Sequence, residues 1–472
     1  MDSRRTITLQ GKEKDPADRQ PMNATPATFV IQRPAAGKRR FQSAIEALIA
    51  EVAGSIGDPE LAWLFENCLP NTLDTTVDHR IGADGRPDTY VITGDIDAMW
   101  LRDSAAQVWP FLPLARSDAA LRAMLAGVIN RQAKSILLDP YANAFYRDPV
   151  FGYWRTDRTQ MKPGVHERKW ELDSLAYFLR LSHGYWAATG DLSPFDETWR
   201  HAVSATFAVM KVEQATGDDP TRSPYMFERL SNGRLSSHSC RGLSRNCGLI
   251  RCSFRPSDDM VELPFLVPAN AMLTVALRDL TALLKALSGE TLAVAAQRIA
   301  ADIGEALEAH AVVHHPRHGE IWAYEIDGLG GVNLMDDANV PSLLSLPYLG
   351  FCAPDDPRYL RTRAFCLSTD NPCFVSGTAA SGIGSPHTGS GTIWPMALAM
   401  QALTSTDDEE ILVCLRRLKA THAGTGFMHE SFDANDASRF TRPWFAWANT
   451  LFGELLVTLH RQRPHLLSAD LS

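Results

Sequence analysis

The hexapeptide FRPSDD, residues 254–259, sets Asp258 and Asp259 side by side after Arg255 and Pro256, at the head of a largely apolar run. Five other stretches share this pattern, with polar groups gathered just before an apolar segment. TGDIDAMWLRDS carries Asp95, Asp97, Trp100, Arg102 and Asp103, and HERKWELDS carries His166, Glu167, Arg168, Lys169, Trp170, Glu171 and Asp173. LMDDANVPS carries Asp336, Asp337 and Asn339, and SGIGSPHTGSGTIWP carries His387 and Trp394. GFMHESFDANDASRFTRPWFAW carries His429, Glu430, Trp444 and Trp447. Carboxylates and arginine hydrogen-bond vicinal hydroxyls, and an indole face packs on the C–H face of a pyranose. Cleaving a glycosidic bond needs two carboxyls, one as acid and one as base or nucleophile. Residue types alone therefore point to a carbohydrate-active protein.

Each stretch also has a plainer explanation. An Asp or Ser before an apolar run is more often an N-cap than a catalytic group. Asp336 and Asp337 read equally as a cap and its solvated neighbour. His387 and His429, taken singly, are more often structural, and Trp394 fits a core. Other function classes stay open on composition: a non-catalytic sugar-binding protein, a glucosidase-like barrel, or a terpene-cyclase-like toroid. The last is weakened because DDANV and DDMVE lack the final Asp of a DDxxD motif and have no Lys/Arg cluster for a diphosphate. No G-x-x-x-x-G-K-[ST] loop and no G-x-S-x-G elbow occurs, which argues against phosphoryl transfer and a serine hydrolase.

The elements that must position these residues fall into two kinds. Segments 41–54, 118–138, 197–214, 290–313, 356–368 and 407–422 repeat apolar residues at three- and four-residue steps with charges opposite. Between them lie helices that are apolar all round and must be buried. WLRDSAAQVWPFL starts at a Ser104–Gln107 capping box, and ELDSLAYFLRL starts near Asp173 and Ser174. VPANAMLTVAL, VPSLLSLPYLG, WPMALAMQAL and RPWFAWANTLFGELL start near Pro268, Pro341, Pro395 and Pro443, since proline is favoured in a first helical turn. Six outer and six inner helices in alternation predict an all-α (α/α)6 barrel, with loops leading into the inner ring gathered at one end. GEIWAYEIDG, residues 319–328, reads as a short β-hairpin in a loop.

The chain has 472 residues, and one barrel over 39–465 accounts for most of them, after a polar, proline-containing tail over 1–38 expected to be mobile. A split into two domains near residue 220 is disfavoured because the alternation continues across it. The net charge is −9 and the only basic block is Gly37-Lys38-Arg39-Arg40, which argues against a nucleic-acid partner. No run of about 18 apolar residues occurs, so no membrane span is expected. The N-terminus has no apolar core of a secretory signal, which makes a cytoplasmic location the expectation. Cys240, Cys247 and Cys252, with His238 nearby, lack C-x2-C spacing, so free thiols are expected, with no metal site and no cofactor.

TGDIDAMWLRDSAAQVWPF, HERKWELDSL, SFRPSDD, GSPHTGSGTIWPM and MHESFD occur in that order, with LFENCLPNTLDTTV (residues 64–77) upstream. Together they resemble glycoside hydrolase family 125 over residues 40–460 or so. The resemblance implies a metal-independent, exo-acting α-mannosidase on an (α/α)6 barrel. Such an enzyme removes terminal α-1,6-linked mannose from a mannoside glycan with inversion. It implies an acid within FRPSDD and Glu430 as the base. Asp258 is favoured over Asp259 as the acid, with Asp259 as its orienting neighbour, and the choice stays open on sequence. Asp95, Arg102 and Asp103 are implied as hydroxyl ligands, with Glu171, Asp173 and His387 lining the pocket. Trp100, Arg168, Arg255, Trp394 and His429 complete the expected substrate-binding set. The acid needs a raised pKa, from burial or from a carboxylate neighbour. The segment RLSSHSCRGLSRNCGLIRC has no place on the family pattern.

Overall fold

Helices form wherever the three- and four-residue apolar repeat meets a usable first turn. In the computed structural model, residues 29–39, 41, 43–214, 223–231, 234–239 and 244–471 are described. Among them run α1 (Ser43–Ala53), α2 (Pro59–Cys68), α3 (Leu101–Val108), α4 (Ala119–Leu138), α5 (Leu172–Thr189) and α6 (Glu197–Gln214). Then follow α7 (Val267–Ala286), α8 (Glu290–His310), α9 (Pro357–Cys366), α10 (Pro395–Leu403), α11 (Asp408–Ala420) and α12 (Ala446–Gln462). Compactness divides the chain into Met1–Val30 and Ile31–Ser472, and the description concerns the second unit.

Outer and inner helices begin differently. Asp58, Asp118, Asp356 and Asp407 accept hydrogen bonds from first-turn N–H groups of α2, α4, α9 and α11, which lie outside. The inner helices α3, α5, α7, α10 and α12 have no side-chain cap. α3, α7 and α10 follow closely on short strands, and backbone carbonyls of neighbouring segments take their leading amides. Leu101 N–H, for example, donates to the Asn143 carbonyl at 3.0 Å. α3 packs between α5 and α12, α5 packs on α7, and α12 on α10. These contacts run α10, α12, α3, α5, α7 round the inner ring of an (α/α)6 barrel. α7 is long and apolar enough to cross a membrane by composition, yet 78% of its apolar window is buried against the rest of the barrel.

Three antiparallel three-stranded sheets stitch the loops at one end of this ring. Met99–Trp100 pairs with Ala144–Phe145, which pairs with Val165–Glu167. Phe265–Leu266 pairs with Glu325–Ile326, and that with Val332–Asn333. Thr392–Ile393 pairs with Phe432–Asp433, and that with Asp436–Phe440. Each sheet ties the backbone just ahead of an inner helix to a loop from elsewhere in the ring.

Several sequence expectations are corrected. VPSLLSLPYLG is not a helix: residues 340–351 run as successive turns in the sixth inner position, with Ser345 N–H donating to the Ser342 carbonyl and Leu349 N–H to that of Ser345. Pro341 and Pro347 bracket only five residues, and Pro347 supplies no N–H and crowds the preceding turn. Ser104 and Gln107 form no capping box, because α3 starts at Leu101 and places both inside the helix. Gln107 instead donates to the Ile92 carbonyl at 3.0 Å. GEIWAYEIDG is not one hairpin: Gly319–Trp322 pairs back to Val312–His315, while Glu325–Ile326 joins a different sheet. Pro443 precedes α12 by three residues rather than lying in its first turn. α2 was not anticipated.

The expected mobile tail lies outside the described residues up to position 28. From Gln32 onward the chain is tied down: Gln32 N–H donates to Asn67 at 2.8 Å, and Arg33 is paired with Glu46 at 2.8 Å and Asp74 at 2.6 Å. The alternative domain break near 220 also falls on residues outside the description, but α5 and α7 on either side of it pack directly together.

Candidate active site

At the stitched end of the ring lies a cavity. Trp100, Arg102 and Asp103 line it from the head of α3, Ser257 and Asp258 from FRPSDD, and Asn339 from the fourth loop. His387, Trp394, Glu430 and Arg442 complete its polar lining, with Phe445 beside them. The second loop, HERKWELDS, does not line the cavity but stands behind it.

Arg102 is the hub of the floor. Its guanidinium reaches Asp103 at 2.6 Å, Glu171 and Asp173 at 3.3 Å, and Asp258 at 3.4 Å, and it lies over the Trp447 ring. One cation thus faces four carboxyl groups, all but Asp258 fully enclosed. Burial, with the neighbouring carboxylates, holds Glu171 well above its usual range and pushes Asp173 up to about 7, against the pull of Arg102. Burial likewise raises Asp103.

FRPSDD makes a tight turn. Asp258 N–H donates to the Arg255 carbonyl at 2.9 Å, and Arg255 N–H to that of Asp259 at 2.8 Å. Asp258 sits at φ +66°, a left-handed conformation that Asp tolerates better than most residues. The kink sends the two carboxylates apart. Asp258 accepts from Asn143 at 2.8 Å and, more weakly, from Trp100 and Arg102 at 3.4 Å. Asp259 meets His387 Nδ1 at 3.2 Å and Ser257 Oγ at 3.3 Å. Burial favours the neutral form of Asp258, but the charges of Lys169 and Arg102 and a hydrogen bond from Glu171 hold it well below the usual range. The raised pKa expected of the acid is therefore found on its buried neighbour Glu171, because the two cations stand against Asp258. Partial desolvation works against charge on His387, but the hydrogen bond and charge of Asp259, with Asp258 and Glu430 nearby, outweigh it and raise its pKa.

Glu430 stands just ahead of Phe432–Asp433, the strand that lies between Thr392–Ile393 and Asp436–Phe440. Thr441 Oγ1 donates to its Oε2 at 3.0 Å, and Arg442 Nη1 approaches its Oε1 at 3.4 Å. Arg442 also pairs with Asp95 at the exposed rim. A carboxylate so held, with its remaining lone pairs toward the cavity, can orient a water and accept its proton.

The cavity brings together Trp100, Arg102, Asp103, Asp258, His387, Trp394 and Glu430 from the sequence-predicted set. Others lie elsewhere. Arg168 is turned away, bonded to Asp139 at 2.8 Å between the Tyr141 and Tyr225 rings. Arg255 pairs with buried Glu325 at 2.6 Å and holds the FRPSDD turn from behind. His429 stacks on Phe440, 3.9 Å between centroids, and its Nδ1 meets the Arg442 carbonyl, so it shapes the Glu430 loop. Glu171 and Asp173 lie under Arg102, and Asp95 and Asp259 reach the cavity only through Arg442 and His387. Sequence reasoning missed Asn143, which sits just before the strand Ala144–Phe145 rather than in a loop ahead of an inner helix. Arg442 was visible in RFTRPWF, but nothing in its spacing marked it as Glu430's partner.

Metal-ligand geometry is absent from the cavity lining. Among the described residues one group could hold a metal, His315, His318 and Asp370, whose donor atoms lie within 4.8 Å of one another. None of the three lines the cavity, and Arg317 already pairs with Asp370. Cys247 and Cys252 are free thiols whose burial raises their pKa, and Cys240 lies outside the described residues.

Comparison with known proteins bears on this site. Residues 58–457 match the profile of the metal-independent alpha-mannosidases (GH125). The meiotically up-regulated gene 157 protein of Schizosaccharomyces pombe (strain 972 / ATCC 24843) is 44% identical over 466 residues, 95% of this chain and 92% of that protein. A metal-independent alpha mannosidase of Streptococcus pneumoniae, solved as a non-productive substrate complex with α-1,6-mannobiose, is 40% identical with a TM-score of 0.83, covering 89% of this chain and 99% of that one. A bacterial glucoamylase complexed with acarbose is alike in fold alone, at 14% identity and a TM-score of 0.50 over 87% of this chain and 56% of that one. On the extent and identity of these matches, the chain belongs to glycoside hydrolase family 125, the metal-independent α-mannosidases.

Proposed function

We propose that the protein removes a terminal α-1,6-linked mannose from a mannoside by single displacement with inversion, with Asp258 as the acid and Glu430 as the base. The observation that carries this reading is one cavity, closed below by buried Glu171 and Asp173, with Asp258 and Glu430 both in its wall. A closed floor favours a chain end over the middle of a glycan. The Streptococcus pneumoniae relative binding α-1,6-mannobiose supports that linkage. Asp258 gives a proton to the glycosidic oxygen as the C1–O bond breaks. Glu430, held by Thr441 and Arg442, takes a proton from the water that attacks C1 from the other side. Carboxylates around Arg102 favour the positive charge that develops on the sugar ring.

The test uses linkage-defined mannobioses and proton NMR of the first product. Mannose should be released from the α-1,6 isomer in preference to α-1,2 and α-1,3, and the β-anomer should appear before mutarotation. An α-anomer appearing first rules out inversion, and no release from the α-1,6 isomer rules out the linkage. A second reading gives the acid role to Asp259, because Lys169 and Arg102 hold Asp258 in its ionised form while Asp259 faces the rim beside His387. Comparing Asp258→Asn with Asp259→Asn on α-mannosyl fluoride, whose leaving group needs little protonation, separates the two. The acid variant alone keeps fluoride hydrolysis while losing mannobiose hydrolysis.

A further inference from the structure

Glu171 is 1% exposed and does not line the cavity, yet it is bound to the same donors as Asp258. The Asn143 amide donates to Glu171 Oε1 at 2.9 Å and to Asp258 Oδ1 at 2.8 Å. Its orientation is fixed from the other end, where Asn143 Oδ1 accepts from Lys169 N–H at 3.2 Å. Arg102 Nη2 spans the same two carboxyl groups, at 3.3 Å and 3.4 Å. Ser174 Oγ holds the far oxygen of Glu171 at 2.9 Å. A side chain that only filled space, or only balanced Arg102, has no reason to share two donors with the group facing the sugar.

Two carboxyls at one pair of donors do not both ionise, and the retained proton belongs to the pair. The charges facing the pair decide where it rests. Arg102 and Lys169 stand against Asp258, with His166 and His387 farther round it, while Asp173 adds negative charge beside Glu171. Burial and the nearby carboxylates raise Glu171, while Lys169, Arg102 and a hydrogen bond from Glu171 outweigh burial and keep Asp258 low. Burial and charge therefore favour the retained proton on Glu171 over Asp258.

We propose, resting on the reading of Asp258 as the acid, that Glu171 is a proton store acting through Asp258 without touching the sugar. The Glu171 proton passes first to Asp258, and Asp258 then gives that proton to the glycosidic oxygen. The C1–O bond to the leaving group breaks, and that group departs as a neutral alcohol. Water forms the new C1–O bond and loses its proton to Glu430. Glu171 ends ionised and Glu430 protonated, and solvent returns the proton to the carboxyl pair. No electrons change hands, and the net reaction is hydrolysis.

The test measures pH profiles of kcat/KM for the wild type, Glu171→Gln, Glu171→Asp and Asp258→Asn, each on α-1,6-mannobiose and α-mannosyl fluoride. Asp258→Asn should keep fluoride hydrolysis while losing mannobiose hydrolysis; loss of both overturns the reading of Asp258 and the proton store with it. In Glu171→Gln, Asp258 faces Arg102 and Lys169 alone. The alkaline limb on mannobiose should then move down by about one pH unit or more, an activity loss of about tenfold on that limb that acidification recovers. Fluoride hydrolysis should change far less. An unmoved limb with kcat lowered evenly at every pH, or equal losses on both substrates, overturns the proposal. Glu171→Asp keeps a titratable carboxyl and should hold its limb nearer the wild type's. If Glu171→Gln does not fold, Glu171→Asp decides: equal losses on both substrates at every pH overturn the proposal, and a loss on mannobiose alone that acidification recovers upholds it.

Discussion

Glu430 is held by one hydroxyl and one guanidinium and opens on the cavity, so its neutral isostere tests chemistry with little change in packing. Glu430→Gln keeps the oxygen that accepts from Thr441 and removes the charge that would draw a proton from water. Its kcat should fall by about 10²- to 10⁴-fold, the usual range for a lost general base. The thermal midpoint should stay close to that of the wild type, because the side chain is half-buried and its partners keep other bonds. An active Glu430→Gln, or an inactive one that has also unfolded by circular dichroism, contradicts this role. At this scale the sequence was informative about residue type and less so about direction. FRPSDD announces two carboxylates, but the φ of +66° that points Asp258 at the floor and Asp259 at His387 is a backbone property no spacing rule reveals. Arg168 and His429 shared the polar loops of the site and yet face away, since a loop residue's orientation depends on which strand it joins.

At the scale of elements, the period of apolar residues identified the outer helices, because their caps and charged faces are local features. The inner ring was legible as buried but not always as helical. Residues 340–351 have the apolar content of an inner helix, and only their two prolines distinguish them. Asp336 takes over part of the work that helical hydrogen bonds do elsewhere, accepting from Leu343 N–H at 2.7 Å and Leu344 N–H at 2.9 Å. Asp336→Ala strands both amides in the core. With about 1–3 kcal/mol for each buried donor left unpaired, it should cost about 2–6 kcal/mol in urea unfolding. A loss under about 1 kcal/mol shows that water or a shifted backbone reaches those amides. The short strands ahead of the inner helices were the least legible elements, since two-residue pairings made between distant loops leave almost no pattern in the chain.

For the whole molecule, a ring that gathers carboxyl groups around one end also links its stability to pH. Burial pushes Asp173 and Asp336 up to about 7 and raises Asp103 and Asp337 as well. In the unfolded chain such groups titrate near about 4. A carboxyl whose folded pKa is raised stabilises the fold fully below the unfolded value, and that contribution is lost as pH rises through the folded value. Buried His166 and His429 and half-buried His183 have lowered pKa values through desolvation and act in the opposite sense, gaining stability as pH rises toward their ordinary range. The acid-side carboxylates Glu46, Asp58 and Asp118, all held low, matter only at still lower pH. The net slope thus mixes signs, and a single substitution isolates one group. Asp336→Asn keeps the shape and removes the titration. Between about pH 5 and pH 7 the wild type should lose about 2 kcal/mol relative to Asp336→Asn. Unfolding curves of the two proteins that stay parallel across that window refute a retained proton on Asp336.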